Sequence, residues 1–153
     1  MKKPSPRPKK TLTADAARAV AVCAGLNARL AARRITAFIE ARMEGAGLSL
    51  AQFGLLAHVA AAADDTIAAL AARTGLDQST LSRNLRALEA AGLVEIATVE
   101  RDLRRRAVLM TEAGARRLEA AMPLWHAAHG ELAQRLDPAS AQRLAKKSEA
   151  LRP

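Results

Sequence analysis

"GLDQSTLSRNLRALEAAGLVE", residues 75–95, decides how the rest of the chain is read. It opens on Gly75, offers Asp77 as a helix N-cap and closes on Gly92. The spacing predicts a helix over 78–91. At 100° per residue, Leu81, Leu85 and Leu88 fall within about 60° of one another. Ser79, Arg83 and Arg86 fall within about 60° on the opposite side. Thr80 and Ser82 flank that polar face, and Asn84 sits nearer the core edge. One side of this helix is built to be buried. The other is built to meet something polar.

The residues just upstream give that helix a partner. Thr66 or Asp65 can cap a short helix whose Ile67, Leu70 and Ala71 share a face, with Gly75 as its C-terminal stop. A short helix, a glycine turn and a second helix of this polarity form a helix-turn-helix. Its second helix fits the major groove of DNA, which is about as wide as a helix. An arginine there can bond guanine O6 and N7 together, and short hydroxyls allow close approach to a phosphate or a thymine methyl. Ser79, Thr80, Ser82, Arg83, Asn84 and Arg86 are therefore the expected contacts. The competing reading of the same residues is an ordinary solvated helix face.

The next segment favours DNA. "LVEIATV" at 93–99 alternates apolar and polar residues, and "RAVLMT" at 106–111 is β-prone. "ERDLRR" lies between them. Two short strands with a charged tip make a β-hairpin, a wing carrying Arg101, Asp102, Arg104, Arg105 and Arg106. Such a wing can straddle phosphates and insert an arginine into the narrow, negative minor groove. Asp102 beside Arg104 reads as a clamp that holds a guanidinium in one orientation. The expected fold is mainly α with this small β-hairpin, a winged helix-turn-helix between long terminal helices.

Charge and composition fit that reading. The chain has 153 residues and a formal net charge of +9, which draws it to polyanions. Five of the cations, Lys2, Lys3, Arg7, Lys9 and Lys10, sit in a proline-rich stretch that should not fold alone. Phe38, Phe53 and Trp125 are the whole aromatic content. Readers of single strands and RNA stack bases on exposed aromatics, so the scarcity argues for duplex DNA. No apolar run approaches the roughly 18 residues of a membrane span. No apolar segment follows the basic N-terminus as a secretory signal requires. A lone cysteine fits a reducing compartment, so a cytoplasmic protein without a membrane partner is expected.

Enzymatic chemistry finds little support. There is no Gly-x-Ser-x-Gly, phosphate-binding loop or His-Glu-x-x-His. His126 and His129 lie three apart on an expected helix, but no Cys, Asp or Glu stands beside them in a familiar ligand spacing. Neither catalytic residues nor metal ligands nor a cofactor are expected.

The remaining segments read as helices. Residues 14–44 form one long helix on the pattern of Val20, Cys23, Asn27, Leu30, Phe38 and Ile39, ended by "GAG" at 45–47. Ser49 caps a helix over 50–63, with Phe53, Leu56, Ala57 and Ala60 inward. Thr111 and Glu112 open a long helix to about 136, and "DPAS" at 137–140 caps a last one with Pro138 in its first turn. Leu118, Met122, Trp125 and Leu136 need cover that one small module does not supply, which points to two chains intertwining their terminal helices; packing within one chain is the other reading.

Taken together, "LSLAQFGLLAHV" (48–59), "LAARTGLDQSTLSRNLRALEAAGLVE" (70–95), the wing's Asp102-x-Arg104 and "LMTEAG" (109–114) resemble the MarR family of winged-helix repressors. The strong match runs over about 48–125. "AMPLW" at 121–125 looks like the continuation seen in one branch. The resemblance implies a homodimer reading a pseudo-palindromic operator in double-stranded DNA. Its parts are a basic tail (1–12), an N-terminal dimerisation helix (13–48), the DNA-binding region (49–111) and C-terminal dimerisation helices (112–153). It also implies release from DNA by a small-molecule effector in the crevice between dimerisation helices and winged helix. The tail is not part of the family pattern, and the wing lacks glycine. Cys23 resembles the sensing cysteine of the organic-peroxide-responsive branch, which would make a redox-sensing repressor. That branch pairs the thiol with tyrosines, and this chain has none. Packing of Cys23 with Val20 and Leu30 is the other reading. A non-specific basic DNA-binding protein is the alternative that rests on charge alone.

Overall fold

The computed structural model describes residues 10–61, 66–99 and 102–151, with the backbone alone for 99 and 102–105. Its contacts divide the chain into two units, residues 1–37 and 38–153.

The first unit is helical but not continuous. α1 (Leu12–Val22) and α2 (Ala24–Arg42) replace the single helix expected over 14–44. The break is at Cys23, whose ψ of 109° is extended. Gly25 weakens the helix there. The Asn27 amide repairs the break by donating to the Ala21 and Cys23 carbonyls at 3.1 and 3.0 Å. Cys23 is exposed in the chain, contrary to the packed position expected beside Val20 and Leu30. Val20 and Val22 are exposed as well, at 63% and 72%.

In the second unit, capping sets most of the boundaries. A 3-10 turn over Glu44–Ala46 closes on Gly47, whose φ of 63° suits glycine. Ser49 then caps α3 (Leu50–Ala60) in a capping box: Ser49 Oγ accepts from the Gln52 N–H, and Gln52 Oε1 accepts from the Ser49 N–H. The inward face of α3 is Phe53, Leu55, Leu56 and Val59, while Ala57 is half-buried and Ala60 exposed. α4 (Ile67–Thr74) is capped by Thr66; Asp65, the other candidate, lies outside the described residues. α5 (Gln78–Ala90) follows Gly75, and β1 (Val94–Val99) follows Gly92.

β1 pairs antiparallel with β2 (Asp102–Met110), from Val94 opposite Met110 to Thr98 opposite Arg106. The register then slips between Thr98 and Val99, so that Val99 faces Asp102. β2 thus begins four residues earlier than the expected 106, because pairing with β1 extends into the charged segment. A bridge from Thr66 to Ala107 joins the N-cap of α4 to the hairpin.

α6 (Glu112–Ala133) and α7 (Pro138–Ser148) complete the unit, followed by a short 3-10 turn over Glu149–Leu151. α3 is the hub of the core, packing against α4, α5, α6 and β2. Leu56, Leu70, Leu81, Leu85, Leu88, Val94 and Val108 are fully enclosed. Leu118 is buried within the single chain, so it needs no partner chain to cover it. Met122 and Trp125 are half-buried, and Leu136 is exposed. α2 and α6 are also tied by Arg42, which reaches Glu131 at 2.6 Å and lies over the Phe38 ring.

Candidate nucleic-acid interface

The site is built on α5. Leu81, Leu85 and Leu88 are buried to within 1% and fix one side of the helix against the core. That orients the opposite side outward. Arg83 and Arg86 are exposed there, and neither side chain makes a hydrogen bond or ion pair among the described residues. They are one turn apart, a rise of about 4.5 Å along the axis. Ser82 and Asn84 are half-buried at the edges of the face.

The start of α5 is held by its cap. The Asp77 carboxylate accepts the Thr80 N–H at 2.9 Å, the Ser79 hydroxyl at 2.6 Å and the Thr80 hydroxyl at 2.8 Å. These bonds favour the ionised form and hold the Asp77 carboxyl far below the usual carboxylate range; the Ser79 hydroxyl is the largest influence, then the Thr80 N–H. The hydroxyls of Ser79 and Thr80 are therefore already donating. Each offers an approaching group its lone pairs, and Thr80 its methyl as well. Helical periodicity alone suggests two free hydroxyls. Aspartate at the cap followed by Ser and Thr at the second and third helical positions is the signal for the bonded arrangement.

Gln78, not among the expected contacts, is exposed at the first position of α5. The turn into the helix uses Gly75 at φ 65°, where its N–H bonds the Ala71 carbonyl and closes α4.

The hairpin flanks this helix. Arg106 is exposed on β2 opposite Thr98. It belongs to the strand β2. Arg104 and Arg105 lie on the same strand, but their side chains and that of Asp102 lie outside the described ones, as does all of Arg101. The hairpin is seated from both ends. Glu89 of α5 accepts the Ile96 N–H, and Thr111 joins the strand exit to the helix turn. Thr111 Oγ1 donates to the Gly92 carbonyl at 2.7 Å and accepts the Gly114 N–H at 3.0 Å, capping α6.

His126 and His129 surround Trp125, with ring centroids 5.0 and 4.4 Å away, and Phe53 stacks on the same indole at 5.9 Å. Among the described residues, no three His, Cys, Asp or Glu side chains converge on a possible metal position. Nor is any described helix long and apolar enough to cross a membrane.

A helix-turn-helix with a two-stranded wing at its exit defines a winged-helix DNA-binding protein. Residues 46–105 match the model of the MarR family. Among solved structures, the MosR transcriptional regulator of M. tuberculosis, crystallised in complex with DNA, is 30% identical with a TM-score of 0.76. That match covers 84% of this chain and 96% of MosR. A mutant MarR from E. coli complexed with operator DNA is 23% identical with a TM-score of 0.73, over 88% of this chain and 97% of that one. CouR from Rhodococcus jostii, bound to p-coumaroyl-CoA, is 20% identical with a TM-score of 0.67, over 86% and 93%. The last two share the fold. No curated protein matches the sequence. The chain belongs to the MarR family of DNA-binding transcriptional regulators.

Proposed function

We propose that this regulator is a cytoplasmic homodimeric repressor that reads a pseudo-palindromic operator and leaves it when a small molecule binds. The observation that carries the DNA reading is the pair of exposed, unpartnered guanidiniums of Arg83 and Arg86 on the outward face of α5, neither bonded among the described residues. Charge left free on a rigid, core-anchored helix is suited to base edges in the major groove. Ser79, Thr80, Ser82 and Asn84 would adjust the fit around them, and Arg101, Arg104, Arg105 and Arg106 of the wing would meet phosphates and the minor groove. MosR and a mutant MarR, both solved with DNA, support the reading.

Dimerisation is assigned to 13–48 and 112–153, and DNA binding to 49–111. Exposed apolar residues in those two segments support that division: Val20, Val22 and Leu26 in one, and Leu136, Leu144 and Leu151 in the other. Such residues are costly to leave in water when they gather into patches. For the effector, the ring cluster of Trp125, Phe53 and His129 offers an aromatic surface, and the CouR complex supports a small-molecule ligand in this fold.

The test is selection of DNA fragments by the purified protein, followed by titration of the selected duplex and a scrambled copy at fixed salt. A sedimenting dimer with strong preference for the selected duplex is expected. Equal affinity for both duplexes returns the protein to non-specific, charge-driven binding.

A thiol-sensing repressor is a second reading, favoured by the exposure of Cys23 at the break between α1 and α2. Operator release by organic peroxide in the parent protein, and none in Cys23→Ser, would support it.

A further inference from the structure

Ser79 stands near the middle of the outward face of α5. It is exposed, and it falls between Arg83 and Arg86 around the helix, about 40° from the first and about 20° from the second. It also belongs to the first turn, and a recognition helix meets base edges with its N-terminal residues. Thr80 is half-buried on the flank, which leaves Ser79 as the hydroxyl best placed for a base.

The proton of that hydroxyl is committed. Ser79 Oγ donates to Asp77 Oδ1 at 2.6 Å, and no described residue donates back to it. Asp77 Oδ1 also takes the Thr80 N–H at 2.9 Å, and its Oδ2 takes the Thr80 hydroxyl at 2.8 Å. An ionised carboxylate is an acceptor only, so it gives nothing in return. A free serine hydroxyl rotates and serves as donor or acceptor. Ser79 instead turns only lone pairs outward, with a negative charge behind them.

That polarity excludes most of what duplex DNA offers. Phosphate oxygens, guanine O6 and N7, adenine N7 and thymine O4 are all acceptors, and phosphate has the same sign of charge as Asp77. The donors in the major groove are cytosine N4–H2 and adenine N6–H2. We propose that Ser79 reads the exocyclic amino group of a cytosine or adenine in the major groove, as an acceptor whose polarity Asp77 sets. Ser79 then determines specificity at one base of each half-site, and Asp77 is its positioning residue. The inference rests on the proposed base reading by α5 and adds the class of base selected at one position.

The test is fragment selection by the full chain and by Ser79→Ala, Ser79→Thr and Asp77→Gly. Glycine is a tolerated N-cap, so the last variant removes the acceptor and keeps the helix start; circular dichroism confirms that every variant is folded. The parent consensus should hold one position per half-site to cytosine or adenine, and the base selected says which. Ser79→Ala should lose preference at that position alone and bind the parent operator roughly three- to tenfold more weakly, the worth of one hydrogen bond. Ser79→Thr keeps the hydroxyl and should keep the preference. In Asp77→Gly the hydroxyl is free to donate, so guanine and thymine should be admitted at the same position while the rest of the consensus stands. A consensus unmoved by Ser79→Ala would overturn the proposal, and so would a Ser79-dependent position that favours guanine or thymine. An amino preference as sharp in Asp77→Gly as in the parent would overturn the role of Asp77. All three outcomes leave base reading by α5 intact, whereas a parent protein that selects no consensus overturns that reading and this inference together.

Discussion

A Cβ on Gly114 would stand 2.0 Å from the Leu93 carbonyl oxygen. The first turn of α6 is pressed against the backbone that leads into β1, and only a residue without a side chain permits the approach. The close approach explains the glycine in "LMTEAG": Thr111 ties the strand exit to Gly92, and Gly114 lets the two backbones meet. In an ordinary helix interior, glycine to alanine stabilises by up to about 1 kcal/mol. At this position Gly114→Ala should instead destabilise by about 3 kcal/mol, because a backbone must move. A Cβ on Gly130, in the same helix, would meet nothing within 4 Å, so Gly130→Ala should stabilise the fold slightly. Urea unfolding of both variants at one protein concentration checks the opposite signs.

Asp77 makes the cap of α5 sensitive to acid. Its carboxyl is held below the ordinary value of 3.8 by bonds that exist only in the folded chain. A depressed folded-state pKa contributes stability that is fully present above the unfolded value and is lost as pH falls toward the folded one. Asp77→Asn should therefore lower the unfolding midpoint at pH 7, and the gap from the parent should narrow as pH drops below about 3.8. Thermal unfolding across pH reads this directly. A gap independent of pH would mean that the ionised form is not what stabilises the cap.

Arg83 and Arg86 are expected to carry sequence preference. Replacing either by alanine should cost roughly 1–3 kcal/mol on the selected operator and relax preference at the base it contacts. Neither change should alter folding, since both side chains are exposed and unpaired among the described residues. Repeating the fragment selection with each variant gives the answer. An unaltered consensus in both would remove them from base reading.

The wing should act through charge. Arg104→Ala is expected to weaken many sequences nearly equally, and to lower the magnitude of the salt slope by about one unit for each phosphate that is no longer neutralised. Asp102→Ala should also weaken binding, although it makes the wing more positive, if the carboxylate orients Arg104. Salt-titrated binding to an operator and a scrambled duplex separates the two effects. Tighter binding by the Asp102 variant would show that no such clamp operates.

Much of the interface is legible in the sequence because it depends on short-range rules. The burial of Leu81, Leu85 and Leu88 follows from helical period, and the caps at Ser49, Asp77 and Thr111 follow from residue type and spacing. The glycine turns at Gly75 and Gly92 follow from the backbone freedom that a left-handed conformation needs. The bonds that occupy the Ser79 and Thr80 hydroxyls are equally local, since Asp77 lies only two and three residues away. Helical period defines the polar face but says nothing of the cap, so it does not reveal them.

Other features lie beyond local rules. The early start of β2 at Asp102 is decided by pairing with β1 and is invisible to strand propensity in an arginine-rich stretch. The bridge from Thr66 to Ala107 joins residues far apart in sequence. A helical stripe through Val20, Cys23 and Leu30 suggests a buried thiol, but α1 buries no residue on any of its faces and the sulfur is exposed with the rest. The apolar stripe of α6 suggests a second chain over Leu118, yet its own chain covers it. The sequence by itself determined which side of α5 is apolar and where that helix starts, because period, caps and turns act over a few residues. Only the tertiary structure decided that Arg83 and Arg86 stay unpaired among the described residues and that Gly114 must lack a side chain. Each of those depends on what distant parts of the chain bring alongside, and no local pattern encodes it.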